Sequence, residues 1–298
     1  MASIGIEEDT GSFAVAEVTG YEPGDGSPNE TNPIATALAR NGVMCLRMPR
    51  PLIDEEMQSI VSIFGPIKDP VGRTKSGGVF RYSKMRQVID SGFVMTDEIR
   101  EQLGDLTFGG LDDERPGLFE TYHCDDTYTE RPAGATVLHA RQLPASGGGP
   151  TCFLDMRAAY DLLDDETKRS IEGLTVTYAY NNEDAFPPRR AASGEAEALV
   201  EVSHPLVRTH AAAGTRALFI DLDRAKHIDE MQVPDGRALL QSLQDHAEAN
   251  APECRHHWQP NDVLVWDNAS VQHKASGDFK VGESRRFWRY MVEGEHPI

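Results

Sequence analysis

From residue 135 to the end, the sequence breaks into short β-like runs bounded by Gly, Pro, Asn and Asp: ATVLHARQL, TCFLDM, LTVTYAYN, VSHPLVRTH, RALFID, DVLVWDN and FWRYMVE. Two helical stretches interrupt them. In RAAYDLLDDETKRSIEGL, Asp155 stands where an N-cap is expected. In PDGRALLQSLQDHAEA, residues 234–249, Leu239, Leu240, Leu243 and His246 share one face. Many short strands with few helices argue for a sandwich or barrel, not a doubly wound parallel sheet. Upstream, NPIATALARNG reads as a helix capped by Asn32, opened by Pro33 and ended by Gly42. In LIDEEMQSIVSIFG, Met57, Ile60, Val61 and Phe64 recur at helical spacing, and VMCLRM between the two helices suits a strand.

A chain of 298 residues fits one such β domain with insertions, so residues 1–298 are expected to form a single domain. Residues 1–12 read as a polar flexible tail and 20–33 as a turn-rich loop. The segment FPPRRAASGEAEA, 186–198, lacks periodicity and is expected to be a mobile loop or lid. Residues 68–121 carry no clear pattern. The net charge of −19 opposes nucleic acid and anionic lipid as partners. No apolar run approaches the roughly 18 residues of a membrane span. The opening MASIGIEEDTGSF has neither a basic nor an apolar leader region, and Cys45, Cys124, Cys152 and Cys254 form no C-x-x-C pair. A cytoplasmic protein with reduced thiols is the expectation.

Chemistry enters at YHCDDTY, 122–128. In extended backbone, side chains i and i+2 share a face, so His123 and Asp125 converge while Cys124 points away. An imidazole and a carboxylate suit iron(II), manganese or zinc. The His-x-Asp pattern is weak alone, and a second copy, His227 to Asp229, reads as a surface histidine in a polar connection. Asp126 faces away from Asp125, either orienting a ligand or solvated. The candidate third ligand is His273, six residues beyond Asp267 and expected in the turn that follows the strand DVLVWDN. In RRFWRYMV, Arg285, Phe287 and Arg289 share one face and Arg286 and Trp288 the other. Arginines on an apolar strand either point inward toward a carboxylate partner or mark a solvated edge.

In order and spacing, these pieces resemble the TauD/TfdA family of iron(II)- and 2-oxoglutarate-dependent dioxygenases. They are GVMCLRM with LIDEEMQSIVSIFGPI; YHCDDTY through GGGPTCFLDMRAAYDLL; VSHPLVRTHAAAGTRALFID; and WQPNDVLVWDNASVQHKASGDF through RRFWRYMV. The resemblance spans about residue 35 to the C-terminus. It implies a mainly β protein with flanking helices, a cupin-like double-stranded β-helix or jelly roll. It implies His123, Asp125 and His273 as ligands of Fe(II), with 2-oxoglutarate and O2 as co-substrates. Thr151 and Arg285 are implied to bind the co-substrate, and Arg289 to contact an anionic substrate. No side-chain acid or base is implied beyond the metal site.

The implied reaction oxidises a C–H bond of a small anionic molecule by hydroxylation, desaturation or epoxidation, releasing succinate and CO2. Family members often assemble as homo-oligomers, though no interface is legible. The chain departs from the family at Tyr122, usually Trp, and at Cys124, usually small and polar. Two other readings compete with this one. A zinc-dependent hydrolase would leave RRFWR unexplained, and no H-E-x-x-H is present. A non-catalytic jelly-roll binding protein would be expected to have lost a ligand.

Overall fold

Two sheets face each other across a core that both supply. The computed structural model describes residues 5–7, 13–23, 32–68, 71–73, 79–81, 87–90, 93–94, 121–145, 147–179, 201–276 and 285–298. Among these, the broad sheet runs Gly5–Glu7, Ala16–Thr19, Val43–Leu46, Val263–Asp267, Ala133–Gln142, Arg286–Glu293, Gln87–Asp90, Phe93–Val94. The sheet facing it has Thr151–Asp155 at its centre, flanked by Glu253–His256 and Val271–Ala275. Smaller sheets extend this side: Val202–Pro205, Thr175–Tyr178 and Ala225–Ile228, and the pair Val207–Thr209 with Arg216–Leu218. Pairing is antiparallel except where Ala16–Thr19 meets Val43–Leu46. This is the expected jelly roll, with helices on the outside.

Period-two alternation explains the layering. On Val263–Asp267, Val263 and Val265 join an outer core with Met44, Leu46, Val137 and Tyr290, covered by the helices Pro33–Asn41 and Asp54–Ser62. Leu264 and Trp266 point the other way, into an inner core with Cys45, Leu138, Phe153 and Phe287. Cys152 and Leu154 face outward beneath the helices Met156–Asp161 and Val233–Asn250, which supply Met156, Ala159, Leu240 and Leu243. The inner core is the space that holds the candidate site.

Local chemistry sets the ends of the elements. Asn32 accepts from the Ile34 N–H at 2.9 Å and caps the first helix. Gly42 ends it with φ of 80°, where a Cβ would also come within 2.9 Å of Val271. Asp155 caps the helix that follows it, accepting from the N–H groups of Arg157 and Ala158. The helical stretch expected from 157 to 174 is in fact two helices, Met156–Asp161 and Asp165–Ile171, because Asp164 accepts from the Thr167 N–H and starts a new one. VSHPLVRTH likewise divides into two strands. Within the expected tail, Gly5–Glu7 pairs with Ala16–Thr19 as an edge strand. The segment 186–198 and most of 68–121 lie outside the described residues.

Candidate metal centre and co-substrate cleft

His123 and His273 are tied by the backbone before any side chain is considered. His123 N–H donates to His273 C=O at 3.1 Å and His273 N–H donates back at 3.0 Å, an antiparallel bridge. His273 sits inside the strand Val271–Ala275, not in a turn as expected. The turn is only three residues long because Asp267 reverses the chain at once: its Oδ1 accepts from Ala269 N–H at 2.9 Å and its Oδ2 from the Ser270 hydroxyl. Residues directly opposite on paired strands send their side chains to the same face, so the two imidazoles lie with ring centroids 4.3 Å apart.

The bridge ends at Asp125, where the chain turns; Asp126 follows with φ of 59°. Donor atoms of His123, Asp125 and His273 all lie within 4.8 Å of one another, and all three side chains are buried or nearly so. Nδ1–H of His123 donates to the carbonyl of Thr121 at 2.8 Å, which fixes the tautomer that carries its lone pair on Nε2. His273 has no side-chain hydrogen bond among the described residues: Nδ1 is buried without a partner, and Nε2 is 3.7 Å from Asp125 Oδ2. Burial and the neighbouring His123 push its pKa down to about 3, so the ring is neutral and able to donate to a metal. Burial pushes the Asp125 carboxyl up, but the Arg289 guanidinium beside it outweighs this and holds the group well below the usual carboxylate range. Two imidazole nitrogens and one anionic oxygen within 4.8 Å of one another fit a divalent cation.

The three donors open onto a cleft lined also by Thr151, Arg285, Arg289, Leu138, Trp266 and Phe287. Arg285, Phe287 and Arg289 do share the inward face, as expected. Arg285 is buried, donates through Nε to the Gly149 carbonyl at 3.0 Å and lies with Cζ 4.4 Å from the Phe287 ring centroid. Thr151 Oγ1 accepts from Trp258 Nε1 at 3.2 Å, and Trp258 packs on Phe287 at 4.4 Å. Arg289 donates to Asp125 Oδ1. Asp126 is buried away from the cleft, taking the Tyr128 hydroxyl at 2.8 Å and pairing with Lys68 at 3.3 Å; its role is to hold the turn. His227 faces Asp229 at 3.4 Å, apart from the cleft.

Sequence reasoning did not find Trp258, Trp266, Leu138 or Thr136, which wall or support the site. For Thr136, Leu138 and Trp266 the signal was inward parity on strands already recognised, whereas Trp258 lies just beyond Glu253–His256, a strand with no sequence signal. A second group, Cys45, His256 and Asp262, also brings ligand-type atoms together. Asp262 Oδ2 is already taken by Arg47 at 2.6 Å, the Gln259 N–H at 2.8 Å and His256 at 3.0 Å. Burial and Asp262 together raise the Cys45 thiol far above its ordinary value. An arginine on the carboxylate and a protonated thiol make this cluster a brace, not a cation site.

Comparison with known proteins identifies the family. The family described as "Taurine catabolism dioxygenase TauD, TfdA family" matches residues 7–291. An alpha-ketoglutarate-dependent 2,4-dichlorophenoxyacetate dioxygenase of Cupriavidus pinatubonensis (strain JMP 134 / LMG 1197) is 30% identical over 230 residues, 76% of each chain. One of the same description from Burkholderia sp. (strain RASC) is 29% identical over 253 residues, 83% of this chain and 80% of that protein. The crystal structure of AAD-2 in complex with Mn(II) and N-oxalylglycine shares the fold at a TM-score of 0.71, with 24% identity, over 99% of both chains. The chain belongs to the TauD/TfdA family of iron(II)- and 2-oxoglutarate-dependent dioxygenases.

Proposed function

We propose that His123, Asp125 and His273 hold the iron, that Arg285 and Thr151 hold the far carboxylate of 2-oxoglutarate, and that the enzyme oxidises a C–H bond of a small anionic molecule. The observation that carries this reading is the convergence of the three donors, a buried arginine and a threonine hydroxyl on one cleft. When bound, the iron supplies the coupled chemistry of the family, in which O2 and 2-oxoglutarate yield succinate, CO2 and the oxidised substrate.

The chain's own residues do the positioning. Arg285 is held by Gly149 and Phe287, so its guanidinium has little freedom and presents a fixed charge to a carboxylate. Because Trp258 donates to Thr151, the threonine keeps its own proton for the same carboxylate. Trp266, Leu138 and Phe287 keep the cleft apolar around these few polar atoms and limit the entry of water. Arg289 is the candidate for the substrate's acid group, within reach of the metal carboxylate it already touches. Relatives described as 2,4-dichlorophenoxyacetate dioxygenases favour a carboxylate as that group. Cys45, Cys124 and Cys152 are buried free thiols, which suits a reducing cytoplasmic setting.

The test begins without oxygen. Iron(II) and then 2-oxoglutarate are added to metal-free protein, and the weak visible charge-transfer band of a chelated 2-oxo acid is sought in wild type, His123→Ala and Arg285→Ala. A band in wild type that is lost or weakened in the variants is expected. Aryloxyacetates, other carboxylates and sulfonates are then screened for substrate-dependent succinate release. Absence of the band, with tight retention of zinc instead, would sink the dioxygenase assignment of this site.

A further inference from the structure

Four buried polar groups form a line that ends on Asp125. Trp266 is 2% exposed, Asn268 1%, Thr136 0% and Asp125 7%. The direction of every hydrogen bond along this line is determined. The indole N–H can only donate, and it lies 3.2 Å from the Asn268 amide end labelled Oδ1. The backbone N–H of Asp125 faces the same end at 3.3 Å. Two donors meet there, so that end is the oxygen and the other is the NH2. The NH2 lies 3.0 Å from Thr136 Oγ1 and must donate to it. Thr136 therefore accepts from Asn268, and its single proton goes to Asp125 Oδ2 at 2.6 Å.

The backbone explains why the line exists. Thr136 and Trp266 are direct partners across the broad sheet, and the Asn268 N–H donates to the Gly134 carbonyl at 3.0 Å. The turn after Val263–Asp267 thus starts with Asn268 already held beside Thr136. Asp125 is gripped from two sides, Oδ2 by Thr136 and Oδ1 by Arg289.

We propose that Asn268 and Thr136 are positioning residues for the metal: they form a one-way hydrogen-bond relay from Trp266 that fixes the Asp125 carboxylate in the orientation in which it meets His123 and His273. The proposal rests on the reading of Asp125 as a ligand. Loss of the Thr136 hydroxyl frees the carboxylate to rotate. In Asn268→Asp, the atom facing Thr136 becomes an acceptor, the threonine proton is drawn away, and a lone pair is turned on Asp125.

The full-length metal-free protein is titrated anaerobically with iron(II), and separately with manganese(II) followed by electron paramagnetic resonance of the free ion. Folding is checked by circular dichroism and the metal-free melting temperature. Thr136→Val is expected to weaken both metals about 10- to 100-fold, the scale of lost outer-shell contacts, while Thr136→Ser stays within about threefold of wild type. Asn268→Asp is expected to weaken binding to a similar degree and to add little in the Thr136→Val background, since both changes remove the same proton from Asp125. Asp125→Ala separates the two readings. If Asp125→Ala loses the metal and folded Thr136→Val binds it like wild type, the relay is wrong and the ligand assignment stands. If Asp125→Ala also binds like wild type, the ligand assignment itself fails. Should Thr136→Val not fold, Asn268→Asp decides, and wild-type affinity there overturns the proposal, as does failure of Thr136→Ser to restore binding.

Discussion

His139 gives a direct measure of how hostile the interior is to charge. It is fully buried on Ala133–Gln142, one residue from the cleft wall at Leu138. Its Nε2 accepts from the Leu52 N–H at 3.1 Å, with Arg141 Nη1 3.2 Å away. Its Nδ1–H points to the Asp262 carbonyl at 3.3 Å. A second ring proton would meet donors, and burial pushes the pKa from 6.5 down to about 4. Between these values the unfolded chain binds a proton that the folded one refuses, so stability falls as pH falls. Near pH 7.5 the loss is close to nil. At about pH 5 it reaches about 2 kcal/mol, and below the folded pKa it levels off at about 3 kcal/mol, using about 1.36 kcal/mol per unit. His139→Gln keeps an acceptor toward Leu52 and Arg141 but cannot take the proton. Urea unfolding of wild type and variant at both pH values isolates the contribution, because His204, also lowered to about 4, acts equally in each. The variant is expected to lose about 2 kcal/mol less than wild type on going to about pH 5. Parallel losses in the two proteins would refute the reasoning.

Arg285→Gln should weaken 2-oxoglutarate about 10- to 100-fold in anaerobic titrations while leaving pyruvate, which lacks the far carboxylate, nearly unchanged, because charge-assisted bonds are lost only with the former. Equal losses for both acids would count against the assignment. Trp258→Phe keeps the ring against Phe287 but removes the donor to Thr151, and an effect of about 2- to 10-fold on 2-oxoglutarate affinity is expected, again with pyruvate as the control. Asp155→Ala removes a helix cap and the Arg157 ion pair at 2.9 Å, and should lower the urea-unfolding free energy by about 1–2 kcal/mol without altering metal affinity.

The elements legible in the sequence are those with local signals. Asn32, Pro33 and Gly42 mark a helix by capping chemistry alone, and DVLVWDN is apolar enough to be a buried strand. Less legible were strands whose residues are polar for tertiary reasons. In Val271–Ala275, Gln272 is fully buried beneath the helix Val233–Asn250, bonded to Gln244 and to the Ile220 carbonyl, so its polarity hid a strand. Glu253–His256 is an edge strand with Glu253 turned to Tyr122 at 2.6 Å. The two histidines and the aspartate stood out through the order and spacing of the family's motifs, since His-x-Asp alone recurs at His227 and Asp229. Their support did not, because Thr136, Asn268 and Trp266 acquire meaning only from the register of Thr136 against Trp266, and Trp258 only from its contact with Thr151.

The mutual bridge between His123 and His273 also bears on kinetics. If the two histidines hold the ion as proposed, the paired amides between them fix both backbones at once, so opening this seam of the sheet would displace both ligands together. Escape of such an ion would then be helped by a local unfastening of backbone, and its residence time would shorten as that seam opens more often. Substitutions at Cys124, whose Sγ lies 3.7 Å from the Val271 carbonyl, or at Gln272 can therefore lengthen or shorten the metal's stay without ever touching it.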